Sequence, residues 1–343
     1  MDLAPTSHDT SPDEGATVAR IMYASQSTVT TSVYAEMEKI RAAAVRHNEP
    51  LGVATALLYQ SGWFVQWKEG PGSALLRIMD RVAGDPRHHS VRIVHSSRGP
   101  RLLSGPWSMA IVQCDESPAD MSRRVLELRR AMDQGMQYPP PAVWRRLSTP
   151  MRHPGAARQA DPDAFQRVMV CSSEGVSAFE LTQWLAHATG EELVHRRFAG
   201  AQFLDVASDY VDVERGDRVL RLIAMARNGL QLPLTRAFLP DYSHVVMLLG
   251  TDVERNLALM QRVIQACQGL VSPPALLGVA PRQDLHDAPY ALARRCGHIY
   301  LAALADPEDR EACWAAAEPL LQKWQLAANS SSGPVELRRV SGR

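Results

Sequence analysis

The 343-residue sequence predicts two folded modules in series, an α+β module and then an α/β domain on a mainly parallel sheet. Three observations carry this. Over 17–134, extended and helix-spaced stretches follow in the order strand, helix, strand, strand, helix, strand, strand, helix. Over 166–327, short solid apolar runs alternate with helix-length segments, the pattern of strands covered on both faces. Between them, 135–165 holds Pro139-Pro140-Pro141, Pro150, Pro154 and Pro162 and reads as a linker, because proline fixes φ and removes donors.

In the first module, Val18 to Ala24 is an apolar run that enters a Ser/Thr-rich turn, a strand signature. Apolar and alanine positions recur at helical spacing from Ser32 to His47, and Asn48 suits the helix end. Residues 52–60 and 62–69 read as strands joined at Gln60-Ser61-Gly62. Alternation puts Phe64, Gln66 and Lys68 on one face of the second, and Trp63, Val65 and Trp67 on the other. A helix over 73–84, the loop Asp85-Pro86-Arg87-His88-His89, and strands over 90–98 and 107–113 complete a sheet with two helices on one face. Residues 117–134, with the stripe Met121, Val125, Leu126, Leu128 and Met132, are expected to cap the other face.

In the second domain, Arg167 to Cys171 is a strand and Ser177 to Ala188 a helix. An extended stretch over 201–213, strands at 219–224 and 244–249, a helix at 252–268, a strand at 275–280, a helix at 288–295, a strand at 298–304 and a helix at 307–325 follow. The acidic, Ser/Thr/Pro-rich start over 1–16 reads as a disordered lead and 328–343 as a flexible tail.

Charge is balanced, 37 basic against 37 acidic residues, so nothing steers the chain to nucleic acid or an anionic membrane. No apolar run is long enough to span a bilayer. The five cysteines (Cys114, Cys171, Cys267, Cys296, Cys313) are scattered and odd in number, which fits a reducing cytoplasm and no metal or disulfide frame. The 11 histidines have no metal-ligand spacing, and no Ser-His-Asp order stands out.

Read singly, the candidate site residues have plain structural uses. Tyr23 is a core tyrosine, Gln66 a satisfied buried amide, Asn48 a helix cap, Arg87 and His88 a solvated loop, and Trp107 and Met109 core packing. Their ordered spacing says more. Tyr23 in Met22-Tyr23-Ala24-Ser25, Asn48, Gln66 in Trp63-Phe64-Val65-Gln66-Trp67-Lys68-Glu69-Gly70-Pro71, Arg87-His88, and Trp107-Ser108-Met109 together resemble the BLUF family of FAD-binding blue-light sensors. The gap from Tyr23 to Asn48 is one residue longer than the family pattern, and the other gaps agree.

The resemblance implies a ferredoxin-like module that binds FAD between its two helices. It implies that Ser25, Asn48, Gln66, Arg87 and His88 line the cofactor, that Tyr23 gives an electron and a proton, and that the Gln66 amide rearranges. Trp107 and Met109 then carry the signal outward. Two features depart from the family: Val53-Ala54-Thr55-Ala56 replaces an Ile/Val-Thr-Gly stretch, and Lys68 stands where an aliphatic residue is usual. A buried ammonium there needs an anion, a lowered pKa or a route to the rim.

The element order after 166 is similar to a small bacterial Ras-like GTPase domain, with eroded motifs. Ser172-Ser173-Glu174-Gly175-Val176-Ser177-Ala178 has no phosphate-loop lysine, Ala224-Met225-Ala226-Arg227-Asn228-Gly229 has no acid, and Pro281-Arg282-Gln283-Asp284 keeps only the aspartate. A receiver-like fold would need an acidic pair where Ser172-Ser173 stands. No cyclase or phosphodiesterase signature follows the sensor. The expectation is therefore a cytoplasmic, non-enzymatic blue-light photoreceptor holding FAD. Its degenerate GTPase-like output domain would act on an unknown downstream protein, and a homo-oligomer is left open. The alternatives are a flavin-free interaction module and, less favoured, a nucleotide-binding switch.

Overall fold

The computed structural model describes residues 17–103, 105–114, 116–136, 138–148, 165–200, 206–215 and 218–331. The expected lead, much of the expected linker, residues 201–205 of the expected extended stretch and the tail beyond 331 lie outside them. The elements run β1 (Thr17–Ser27), α1 (Val33–Asn48), β2 (Ala54–Gln60), β3 (Trp63–Gly70), α2 (Gly72–Ala83), β4 (His88–Pro100), β5 (Trp107–Gln113), α3 (Pro118–Asp133) and α4 (Pro140–Ser148). They continue β6 (Phe165–Ser172), α5 (Ser177–Thr189), β7 (Val194–Gly200), β8 (Val206–Arg215), β9 (Arg218–Met225), α6 (Pro233–Phe238), β10 (His244–Leu248), α7 (Val253–Cys267), β11 (Ala275–Ala280), α8 (Asp287–Arg295), β12 (Tyr300–Leu304) and α9 (Arg310–Ser331).

Two compact units result. The first joins Met1–Met151 with two later segments, Arg197–Asp205 and Leu232–Ala237. Its strands lie in the order β7-β5-β2-β3-β1-β4. β3 pairs antiparallel with β1 and β2, and β5 pairs parallel with β2. The β2–β3 hairpin turns on Ser61 (φ 50°) and Gly62 (φ 76°), the left-handed pair that a two-residue turn requires. All eight residues of β3 are buried, so both faces of the sheet must be covered.

One face carries α1 and α2. Met37 of α1 packs with Leu57, Phe64, Trp107 and Met109, while Leu75 and Ile78 of α2 pack with Ile21 and Val53. α3 and α4 cover the other. The Trp63 indole donates to the Pro118 carbonyl at 3.2 Å, and the Trp67 and Trp144 rings lie 6.1 Å apart. Buried Arg124 of α3 pairs with Glu116, which also accepts from Gln60 Nε2 at 2.8 Å. α3 is the capping helix read from the sequence, with Met121, Val125 and Leu128 buried. Helix α4, inside the stretch read as linker, was masked by its prolines. Pro140 occupies the first turn, where its missing N–H costs nothing, and Val143, Trp144 and Leu147 are buried.

The second unit has strands in the order β12-β11-β10-β6-β9-β8. β6 is parallel to both β9 and β10, and β10, β11 and β12 are mutually parallel. β8 runs antiparallel to β9. The sheet is thus mixed, mainly parallel as read from the sequence, with β8 its one antiparallel strand among the described residues: the connection after Arg215 is too short for a crossover, so β8 and β9 form a hairpin. Ala178, Leu181 and Leu185 of α5 and Trp314 and Ala317 of α9 close one core against Val168, Leu222, Val246 and Leu277. α7 packs on β10. β7 escaped the sequence reading because Arg196-Arg197 interrupts its apolar pattern. No helix among the described residues is long and apolar enough to cross a membrane. No group of three or more His, Cys, Asp or Glu among them is placed to hold a metal.

Candidate functional site

Register puts Tyr23, Ser25, Gln66, Trp107 and Met109 on one face of the first sheet, while Asn48 ends α1 and Arg87 lies in the loop before β4. Tyr23 of β1 faces Gln66 of β3, Gln66 faces Leu57 of β2, and Leu57 faces Met109 of β5. A second row holds Ile21, Lys68, Thr55 and Trp107, and a third Ser25, Phe64, Tyr59 and Ile111. In-register neighbours project to one side of a pleated sheet, here the side covered by α1 and α2.

Several polar groups on this face are buried without a partner. Tyr23 Oη, Ser25 Oγ, His88 Nδ1 and Trp107 Nε1 are inaccessible to solvent and make no hydrogen bond among the described residues. Each such orphan costs on the order of 1–3 kcal/mol. Gln66, 8% exposed, likewise makes no side-chain hydrogen bond among them. A ligand edge rich in carbonyl and ring-nitrogen atoms would satisfy these donors and acceptors, and a flavin has such an edge. The residues present therefore fit that cofactor.

Burial pushes the Tyr23 phenol well above its ordinary value, with nearby Asp85 adding to the shift, so the hydroxyl keeps its proton. Asn48 ends α1 and donates Nδ2 to Thr55 Oγ1 at 3.3 Å. Arg87 is held bidentately by Asp85, Nε–Oδ1 2.8 Å and Nη2–Oδ2 2.5 Å, and its backbone N also donates to Oδ1. Those bonds from Arg87 hold the Asp85 carboxyl below its usual range. His88 meets the Phe64 ring edge-on, and burial lowers its pKa. Trp107 and Met109 are buried against Met37.

Both departures from the family pattern fall on this face, next to each other. Thr55 faces Lys68 in register. Ala54 and Ala56 alternate to the opposite side, so Thr55 is the member of the altered stretch that enters the site. Lys68 is 3% exposed and has no anionic partner among the described residues. Burial, with Arg81 contributing, draws its pKa down to about 7.

Sequence reasoning missed two positioning acids. Asp85 stands in the loop between α2 and β4, where the structure shows it clamping Arg87. Glu69 is fully buried and accepts from Arg20 Nε (2.7 Å), Trp67 Nε1 (3.1 Å) and the amides of Leu102 (2.7 Å) and Leu103 (2.9 Å). The signal available was the one acid of a fully buried strand, which must find partners.

Residues 18–110 match the family model described as BLUF, sensors of blue-light using FAD. Photoactivated adenylate cyclase subunit beta of Euglena longa is 36% identical over 95 residues, 27% of this chain and 11% of that protein. The Euglena gracilis subunit of the same name is 35% identical over 94 residues, again 27% and 11%. The chain thus spans about a tenth of the length of these relatives. Among solved structures, the dark state of BlrB, a BLUF protein, aligns at 24% identity and TM-score 0.26 over 39% of this chain and 94% of that one. A bacterial light-regulated adenylyl cyclase aligns at 11% identity and TM-score 0.29 over 66% and 84%.

The relatives correct one expectation. The chain was read as non-enzymatic because no catalytic signature follows the sensor, yet the matched relatives are photoactivated adenylate cyclase subunits. The physical reason is that a flavin sensor carries no group-transfer chemistry itself. The same sensor residues accompany an enzyme or a binding module equally well.

Proposed function

We propose that the first unit is a blue-light sensor that holds FAD between α1 and α2 and switches through Tyr23 and Gln66. One observation carries the reading: buried, unpartnered polar atoms gather on the face where Tyr23 and Gln66 stand side by side. Bound FAD supplies the absorption of blue light and an acceptor for an electron. The chain's residues do the rest. Ser25, Asn48, Gln66, Arg87 and His88 line the cofactor, and α1 and α2 exclude water. Tyr23 holds the mobile electron and the Oη proton. The Gln66 amide, free of other side-chain bonds, exchanges its donor and acceptor ends beside Tyr23.

The outward step uses β5. Trp107 and Met109 present to the site, while Ser108 between them points to the other face and accepts from Leu234 N at 3.2 Å. Ala199 packs against the Trp107 and Met109 cluster. Residues 197–200 and 232–237 cluster with the first unit and are continuous in sequence with the second, and a shift of β5 is proposed to travel along the chain from them. We read that unit as a degenerate Ras-like layout from its strand order, with its one antiparallel member, and propose that it answers to a downstream protein partner. Moving a two-state element from 1:99 to 99:1 takes roughly 5.5 kcal/mol, which rearranged buried hydrogen bonds can contribute to.

The test is an absorption spectrum of the full chain purified in the dark and again after blue light. A flavin band that moves to longer wavelength and returns in darkness supports the sensor. A colourless protein that stays so with added FAD would rule it out. That outcome favours the second reading, a flavin-free interaction module, for which buried, unpaired Lys68 is the supporting observation.

A further inference from the structure

We propose that the second unit carries a binding cleft for a diphosphate group, built from arginines in place of a phosphate-loop lysine. A cavity of about 410 Å³ opens beyond the carboxyl ends of β6 and β9, lined by Ser173, Glu174, Arg227, Arg255, Ala258 and Arg262 among others. Its size falls within the roughly 300–1,000 Å³ of small-molecule sites. Its place is telling as well. β6 has β9 on one side and β10 on the other, so the chain leaves it first one way and later the other. In open α/β sheets the crevice at such a switch point is where ligands bind.

Charge names the ligand class. Three guanidinium groups face one carboxylate within the lining. Arg255, Ala258 and Arg262 fall on one face of α7, and the small Ala258 leaves a gap between the two arginines. Arg227 donates Nη1 to the Ser173 carbonyl at 2.5 Å, which fixes it at the mouth of the β6–α5 loop. Arg262 makes no ion pair among the described residues. A pyrophosphate group offers the several anionic oxygens that paired guanidinium forks engage best.

Glu174 holds the position such a ligand would take. Its Oε2 accepts from Arg255 Nη1 at 2.9 Å, and Arg255 also meets Asp252 at 3.3 Å. The Glu174 carboxylate lies against the α-carbon of Gly250, where any added Cβ would stand 1.9 Å from Oε1. Gly250 also donates its N–H to Ser173 Oγ, tying the two loops together. The Glu174–Arg255 pair is partly solvent-exposed and therefore weak, so a doubly charged phosphate displaces it readily. Glu174 thus acts as an internal plug that weakens, and tunes, anion binding.

The test is isothermal titration of the full chain with inorganic pyrophosphate, and in parallel with GDP and ADP. Wild type, Glu174→Gln and the double variant Arg255→Gln/Arg262→Gln are compared, with thermal melts confirming that each stays folded. The expected result is pyrophosphate binding that tightens about tenfold in Glu174→Gln and weakens at least about tenfold in the arginine variant. Equal affinity for pyrophosphate and nucleotides assigns the site to the phosphate group alone, and tighter nucleotide binding extends it to the nucleoside. No pyrophosphate binding by Glu174→Gln, or binding unchanged in the folded arginine variant, would overturn the proposal.

Discussion

Thr55 and Lys68 face each other across β2 and β3, on the side of the sheet that carries Tyr23 and Gln66. Thr55 takes the Asn48 amide, and Lys68 takes nothing among the described residues. The site floor therefore carries an ammonium and a hydroxyl in the row next to the Tyr23 and Gln66 row. That polarity tunes the pocket through two neighbouring side chains.

Lys68 makes stability pH-dependent with a definite sign. Unfolded, it keeps its proton up to about 10.5, and folded only up to about 7. Between those values the unfolded chain binds the extra proton, so stability rises with pH across the window, and the penalty is complete below about 7. Lys68→Met is expected to stabilise the protein at pH 6 by ~2 kcal/mol or more, with the gain shrinking towards pH 10. Urea unfolding at several pH values measures this. A gain of the same size at every pH would mean that the lysine is not the titrating group. Flavin occupancy of the purified variant should rise as well.

Tyr23→Phe is expected to keep FAD bound and lose the light-induced shift, since it removes the Oη proton and leaves the ring packed. The apo-protein should lose no stability, because Tyr23 Oη is buried without a partner and its removal deletes an unsatisfied group. Gln66→Leu should also lose the shift, through loss of the amide. A normal spectral shift in either variant would dismiss that residue from the switch.

Much of the first unit was legible. Phe64, Gln66 and Lys68 were placed on one face by alternation alone, and the register agrees. Ser61-Gly62 announced its hairpin because few residue types tolerate positive φ. What stayed hidden was mostly non-local. Nothing near Glu69 says that it gathers Arg20 and the amides of Leu102 and Leu103, and nothing near Arg196-Arg197 says that a strand runs through it. In the second unit, β8 reads as strand from its own residues, but its direction depends on where β9 turns back.

Glu69→Ala is expected to cost about 3–5 kcal/mol, because it strands buried Arg20 and leaves the Leu102 and Leu103 amides without an acceptor. Glu69→Gln should cost less, since one oxygen still accepts. Chemical unfolding separates the two. Equal losses would show that shape at this position, and not charge, holds β1, β3 and the 101–103 loop together.

Ser108→Ala separates sensing from output. Ser108 is buried and lies between Trp107 and Met109, but it serves the opposite face of β5, where its hydroxyl is the acceptor for Leu234 N–H. Gly105, just ahead of β5, lies so close to Pro233 that an added Cβ would stand 2.5 Å from its ring, so the 232–237 segment follows β5 closely. Removing the hydroxyl leaves a buried N–H unpaired and should cost on the order of 1–3 kcal/mol. The flavin-facing side chains are untouched, so the spectral shift should persist. Hydrogen exchange over 206–331, compared between dark and lit states, should then lose its light dependence. An unchanged dark–light difference in the variant would place the route to the second unit elsewhere than the Ser108–Leu234 contact.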